Sequence, residues 1–160
     1  MTMREAPTLS VIMPLYNERS TVREILKRVL AQPVSKEVIV VDDASTDGSA
    51  ALVEAVAQNE PAIRLIRQER NQGKGAAVRR GIAEARGEVV LVQDADLEYD
   101  PRDYAKLIQP ILDGDADVVF GSRFEGHPRR VMMYWHTAGN RFLTWLSNIT
   151  TNLNLTDMET

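Results

Sequence analysis

The chain has 160 residues, 44% hydrophobic and 26% charged, the balance of a soluble globular protein with one sizeable core rather than two full domains. A net charge of −4 lacks the basic excess of a nucleic-acid partner, and the absence of cysteine excludes disulfide frameworks and thiolate chemistry while suiting a reducing compartment. No apolar run reaches the roughly 18 residues of a membrane span, and MTMREAPTLS lacks a signal-peptide core.

Short β-rich runs alternate with helical patterns. TLSVIM (8–13) predicts a first strand. Ser20 can cap a helix through Ala31 that gathers Val22, Ile25, Leu26, Val29 and Leu30 on one face. EVIVVDD (37–43) predicts the second strand, and Asp47 can cap a helix through Ala57. IRLIRQ (63–68) predicts the third strand, followed by a helix from Gly75 to Ala85. EVVLVQD is the fourth strand, Pro101 suits the first turn of a helix to Leu112, and ADVVFGS (116–122) predicts a fifth strand. Such alternation, with nearly all-apolar strands, predicts an α/β fold with a mostly parallel sheet and helices on both faces. Ligands bind such sheets beyond the carboxyl ends of the strands. There this chain places PLYNE, DDASTDG, DADLE and GSRFEG.

Residues 126–149 differ in kind. Met132, Met133, Tyr134, Trp135, Phe142, Leu143, Trp145 and Leu146 stand beside Arg129, Arg130 and Arg141. The pattern reads either as an amphipathic membrane-surface helix or as a helix packed on a core. The close, TTNLNLTDMET, carries no terminal turn or stop signal, as expected of a chain cut in mid-element.

The chemistry concentrates in DADLE. Asp94, Asp96 and Glu98 alternate along an extended chain and so point the same way, where three unpaired anions would repel. A hard dication such as Mg²⁺ or Mn²⁺ would relieve them and neutralise a diphosphate leaving group. A solvated acidic turn ahead of a helix is the plainer alternative. Asp42 and Asp43 end a buried strand and can accept from a base N–H or a ribose; Asp47 reads as a cap. Tyr16 offers a face for stacking on a base, Glu18 can accept from a ribose hydroxyl, and Asn17 can hold the turn. Lys74 lies between glycines that permit close backbone approach to a phosphate. The surrounding NQGKGAA is neither a Walker motif nor a dinucleotide fingerprint.

In this order and spacing, VIMPLYNE, VVDDASTDGS, NQGKGAA, VQDADLE, FGSRF and NLNLTDMET resemble the family 2 glycosyltransferases, above all the polyprenyl-phosphate sugar synthases. The resemblance implies a single nucleotide-binding domain of the GT-A type over residues 1–125. The start of an acceptor-side, membrane-surface region would follow at 126–160. It implies inverting, metal-dependent transfer of a hexose from a UDP- or GDP-linked donor. Pro14, Tyr16, Glu18, Asp42 and Asp43 would hold the nucleoside. Asp94, Ala95 and Asp96 match the DxD motif that binds diphosphate and Mg²⁺ or Mn²⁺, with Glu98 as a third metal ligand. Arg123 would face an acceptor phosphate, and Asp157 lies in an acceptor-side motif where a carboxylate could be the base.

A hydroxyl acceptor needs such a base. A lipid phosphate, whose second pKa is about 6, is already largely anionic at pH 7 and needs positioning by Arg123 with Arg129 or Arg130. The expected acceptor is therefore a polyprenyl phosphate, met by a cytoplasmic protein peripheral to the inner membrane face. A saccharide hydroxyl acceptor and a non-catalytic nucleotide-sugar-binding module are the alternatives. A receiver domain would place its acidic pair after the first strand, and a nucleotidyltransferase would place a glycine-rich basic loop where this chain has PLYNERS.

Overall fold

Apolar residues on both sides of a strand demand cover on both faces, and LSVIMPL supplies them for β1 (Leu9–Leu15). The computed structural model describes residues 7–121 and 134–157. Two units divide the chain, Met1–Ala105 and Lys106–Thr160.

In the first unit β1 is followed by α1 (Val22–Leu30), β2 (Lys36–Asp42), α2 (Ser49–Ala57), β3 (Ile63–Arg67), α3 (Lys74–Ala83) and β4 (Val89–Val92). The four strands form one parallel sheet in the order β3-β2-β1-β4. On one face Ile12, Ile39 and Val41 pack with Ala77 of α3. Gly81 lets α3 lie that close, because a Cβ there would stand 2.3 Å from Ile12 Cγ2. On the other face Val11, Met13, Val38 and Val40 are fully buried. Helix α1 buries Val22, Ile25, Leu26 and Val29 at helical spacing and packs on α2, which also lies against β3. Crossovers carry the chain outward from β1 through β2 to β3 and then back past β1 to β4. The direction of winding thus reverses between β1 and β4, and a crevice at their carboxyl ends is the site this topology makes available.

Pro14 keeps that crevice open. Ile12 accepts from the Gln93 N–H, so alternate residues of β1 face β4, and Pro14 is the next in turn. Having no N–H, it cannot extend the ladder, and the pairing of β1 with β4 ends there.

Local outcomes depart from expectation at three places. Thr21, not Ser20, stands at the N-cap of α1, and its hydroxyl donates to the Glu18 carboxylate at 2.8 Å instead of capping. Gly48 takes the N-cap of α2 at φ 88°, while Asp47 before it accepts from the Ser49 N–H at 2.9 Å and does a cap's work. The expected fifth strand is absent among the described residues: 116–121 run without ladder partners, Val118 and Phe120 exposed. Intrinsic β-preference mostly reports packing against neighbouring strands, and here none is found.

Pro101 begins a 3-10 turn, Pro101–Asp103, that leads into α4 (Tyr104–Leu112), as its position predicts. In the second unit α5 (Tyr134–Thr151) exposes Trp135, Phe142, Leu143, Trp145, Leu146 and Ile149. The segment after it folds back along a polar stripe. Asn148 exchanges two hydrogen bonds with the Leu155 backbone, at 2.8 and 2.9 Å, and Asn140 donates to Asp157 at 2.8 Å. Among the described residues no helix is long and apolar enough to cross a membrane.

Candidate active site

The loops after β1 and β2 are tied together before any ligand is considered. Asn17, at φ 56°, donates its N–H to Ser45 Oγ and accepts from the Thr46 N–H with its side chain. Asp47 accepts from the Arg19 N–H at 2.9 Å, and the Ser49 hydroxyl donates both to Asp47 and serves as acceptor for the Glu18 N–H. Partial burial pushes the Asp47 carboxyl up, but the Ser49 and Arg19 hydrogen bonds outweigh it and hold the group below its ordinary value. PLYNE and DDASTDG therefore form one braced lip.

Asp43 is 2% exposed and joins that lip to the segment after β3. One of its oxygens accepts from Gln68 Nε2 at 2.7 Å and from the Gln72 N–H at 2.8 Å; the other accepts from the Gly73 N–H at 2.7 Å. Gly73 sits at φ 86° and ψ 160°, a conformation that favours glycine, and Lys74 starts α3 directly after it.

The opposite lip follows β4. Gln93 is buried, and its amide is held by the Tyr104 hydroxyl at 2.9 Å on one side and the Asp94 carbonyl at 3.1 Å on the other. Burial pushes the Tyr104 phenol well above its ordinary pKa, so it stays a hydrogen-bond donor at any working pH. Asp94 is thus aimed from behind, and its carboxylate meets the Lys74 ammonium at 2.7 and 2.8 Å. Asp96 accepts from the Glu98 N–H at 2.9 Å, which closes the turn.

Between these lips lies a cleft of about 300 Å³ lined by Pro14, Tyr16, Glu18, Asp43, Lys74, Asp94, Ala95 and Asp96, with Leu15, Asn71, Gly73 and Ala77. Eight of the residues singled out from the sequence meet there. Asp42 and Glu98 are not among its lining: Asp42 is buried with its carboxylate accepting from the Ser45 N–H at 3.2 Å, and Glu98 is exposed. Arg123 lies outside the described residues, as do Arg129 and Arg130. Asp157, in the second unit, is 1% exposed and accepts from Asn140. Asn71 and Gly73 were missed as lining residues, although NQGKG marks them as a turn that brings backbone close.

Among the described residues no three imidazole or carboxylate side chains gather into a group that could hold a metal unaided. Asp94 and Asp96 offer two carboxylates in the cleft, a donor set that fits a hard dication whose remaining positions are filled by water and phosphate oxygens. A wider groove of about 770 Å³ lies where α1 and α2 end, around Leu30, Val34 and Val56. Its Lys36 ammonium already donates to the Leu30, Gln32 and Val34 carbonyls, and no convergent chemistry lines it.

Residues 10–158 match the sequence profile of Glycosyl transferase family 2. The chain belongs to this family. It is 38% identical over 118 residues to the dolichol-phosphate mannosyltransferase of Pyrococcus furiosus, covering 72% of this chain and 33% of that protein. It is 37% identical over 122 residues to the dodecaprenyl-phosphate galacturonate synthase of Rhizobium johnstonii, covering 72% of this chain and 36% of that protein. The family chain thus spans about a third of the length of these relatives. Among solved structures, a mannosyltransferase from Pyrobaculum calidifontis in complex with GDP-Man and Mn²⁺ superposes with TM-score 0.56 at 35% identity, covering 61% of this chain and 30% of that one. TarS from S. aureus superposes with TM-score 0.60 at 29% identity, covering 74% and 40%. The family's GT-A type of α/β fold is the one seen here, a parallel sheet with its cleft at the carboxyl ends.

Proposed function

We propose that this chain is the donor-binding part of an inverting glycosyltransferase that moves a hexose from a UDP- or GDP-linked donor to a polyprenyl phosphate. The observation that carries the reading is the meeting of Asp94 and Asp96 with Tyr16, Glu18, Asp43 and Lys74 in one cleft at the β1–β4 crevice. Tyr16, with half its surface exposed, stacks on the base; Glu18, steadied by the Thr21 hydroxyl, accepts from the ribose. Asp43 fixes the segment that presents Gly73 and Lys74 to the diphosphate. Asp94 and Asp96 would hold Mg²⁺ or Mn²⁺ together with water and phosphate oxygens, while Glu98, expected as a third ligand, stands outside the cleft's lining. When bound, the cation neutralises charge on the departing diphosphate. In the transfer an acceptor phosphate oxygen forms its bond to the sugar's anomeric carbon from the face opposite the diphosphate. The old bond breaks, and its electron pair leaves with the nucleoside diphosphate.

Relatives whose names carry dolichol-phosphate and dodecaprenyl-phosphate support a lipid phosphate as acceptor. Residues 1–125 form the donor core in this reading, and 126–160 begin the acceptor side. Arg123, at the edge of that core, neutralises the acceptor, and Asp157, held inside by Asn140, orders the segment more readily than it serves as a base. The exposed aromatic face of α5 fits the inner membrane surface, where such an acceptor is met.

Calorimetric titration with UDP and with GDP, with and without Mn²⁺, tests the core of this reading. One nucleotide is expected to bind at least about tenfold more tightly with Mn²⁺, and Asp96→Ala is expected to abolish that gain. A folded protein that binds neither nucleotide overturns it.

A further inference from the structure

Lys74 is the first residue of α3, the end at which a helix dipole disfavours a cation, and most of its side chain is exposed. Neither helix stability nor packing accounts for a lysine there. Its ammonium instead spans both oxygens of Asp94, at 2.7 and 2.8 Å. The backbone before it is fixed for that aim, with the Gly73 N–H held by Asp43 at 2.7 Å. Side-chain exposures of 63% for Lys74 and 21% for Asp94 make the pair a weak one, easily exchanged.

We propose that Lys74 is a displaceable counter-cation. It competes with a divalent cation for Asp94, and it passes to the diphosphate oxygens of the nucleotide once that cation takes the carboxylate. This inference rests on the reading of Asp94 and Asp96 as the cation's ligands. A dication arriving alone must evict the ammonium from both oxygens and leave it without a partner anion. A dication arriving with a nucleoside diphosphate gives the evicted ammonium a new anion on the same side of the cleft, which Lys74 also lines. Part of the coupling between cation and nucleotide therefore resides in one side chain, and it acts equally in both directions.

The test is a Mn²⁺ titration, with free Mn²⁺ read by electron paramagnetic resonance, on the wild type, Lys74→Met and Asp94→Asn, without nucleotide and with saturating UDP or GDP. Without nucleotide, Lys74→Met is expected to bind Mn²⁺ about fivefold more tightly than the wild type, because the competing charge is gone. At saturating Mn²⁺ it is expected to bind the nucleotide about tenfold more weakly, through loss of a charge-assisted hydrogen bond. Lys74→Arg keeps the charge and is expected to stay near the wild type in both. Thermal melts check that all variants are folded, which the exposed position of Lys74 favours. If Asp94→Asn loses Mn²⁺ while Lys74→Met binds it no better than the wild type, the inference alone falls. If Asp94→Asn binds Mn²⁺ as the wild type does, the reading of the cation site fails and takes the inference with it.

Discussion

Asp43 accepts three hydrogen bonds from the segment after β3, two of them from backbone N–H groups. Asp43→Ala leaves the Gln72 N–H and the Gln68 amide without that acceptor, and unmade buried hydrogen bonds are costly. We expect a loss of about 3 kcal/mol in urea unfolding at unchanged m-value, with Asp43→Asn recovering part of it. The sequence placed Asp43 correctly at a strand end and expected it to face a base. It did not show that Gln68 and Gln72 claim its oxygens, because that depends on where a later segment returns rather than on local spacing. Lys74 presents the same case: the glycines around it were readable, but its partner Asp94 comes from the loop after β4. Asn17 as the holder of its turn needed no tertiary knowledge and was legible.

Elements were legible where period and length agreed. The four strands and the helices between them fall within a few residues of where alternation of apolar and polar runs puts them, since both faces of the sheet must be covered. The fifth strand failed for the complementary reason: ADVVFGS has the composition of a strand, but a strand also needs neighbours to take its backbone groups. Gly81 was not singled out at all, although close packing of α3 depends on it. A Cβ there meets Ile12 Cγ2 at 2.3 Å and Val41 Cγ2 at 3.4 Å. Gly81→Val is therefore expected to destabilise the fold by about 1–3 kcal/mol, read as a lowered urea midpoint. A midpoint equal to the wild type's would mean that α3 can lift off the sheet without cost.

Across the whole molecule, both tryptophans lie on α5, Trp135 being 80% exposed and Trp145 58%. Their fluorescence therefore reports on that helix alone. Vesicles containing anionic lipid are expected to shift the emission to the blue, more at low salt than at high salt, as basic and aromatic residues meet the interface. An emission maximum unmoved by vesicles would argue instead that the apolar face is covered by protein. The order of assembly follows from the register of the sheet. The pairings of β1 with β2 and β2 with β3 join successive strands, whereas β4 returns to β1 and pairs Val89 with Leu9. This last pairing closes the longest stretch of chain, and during synthesis its strand emerges after the other three. We therefore expect the lip that carries Asp94 and Asp96 to form after the braced lip. A ligand that needs both lips recognises only the finished unit, so it slows unfolding and leaves the rate of folding unchanged.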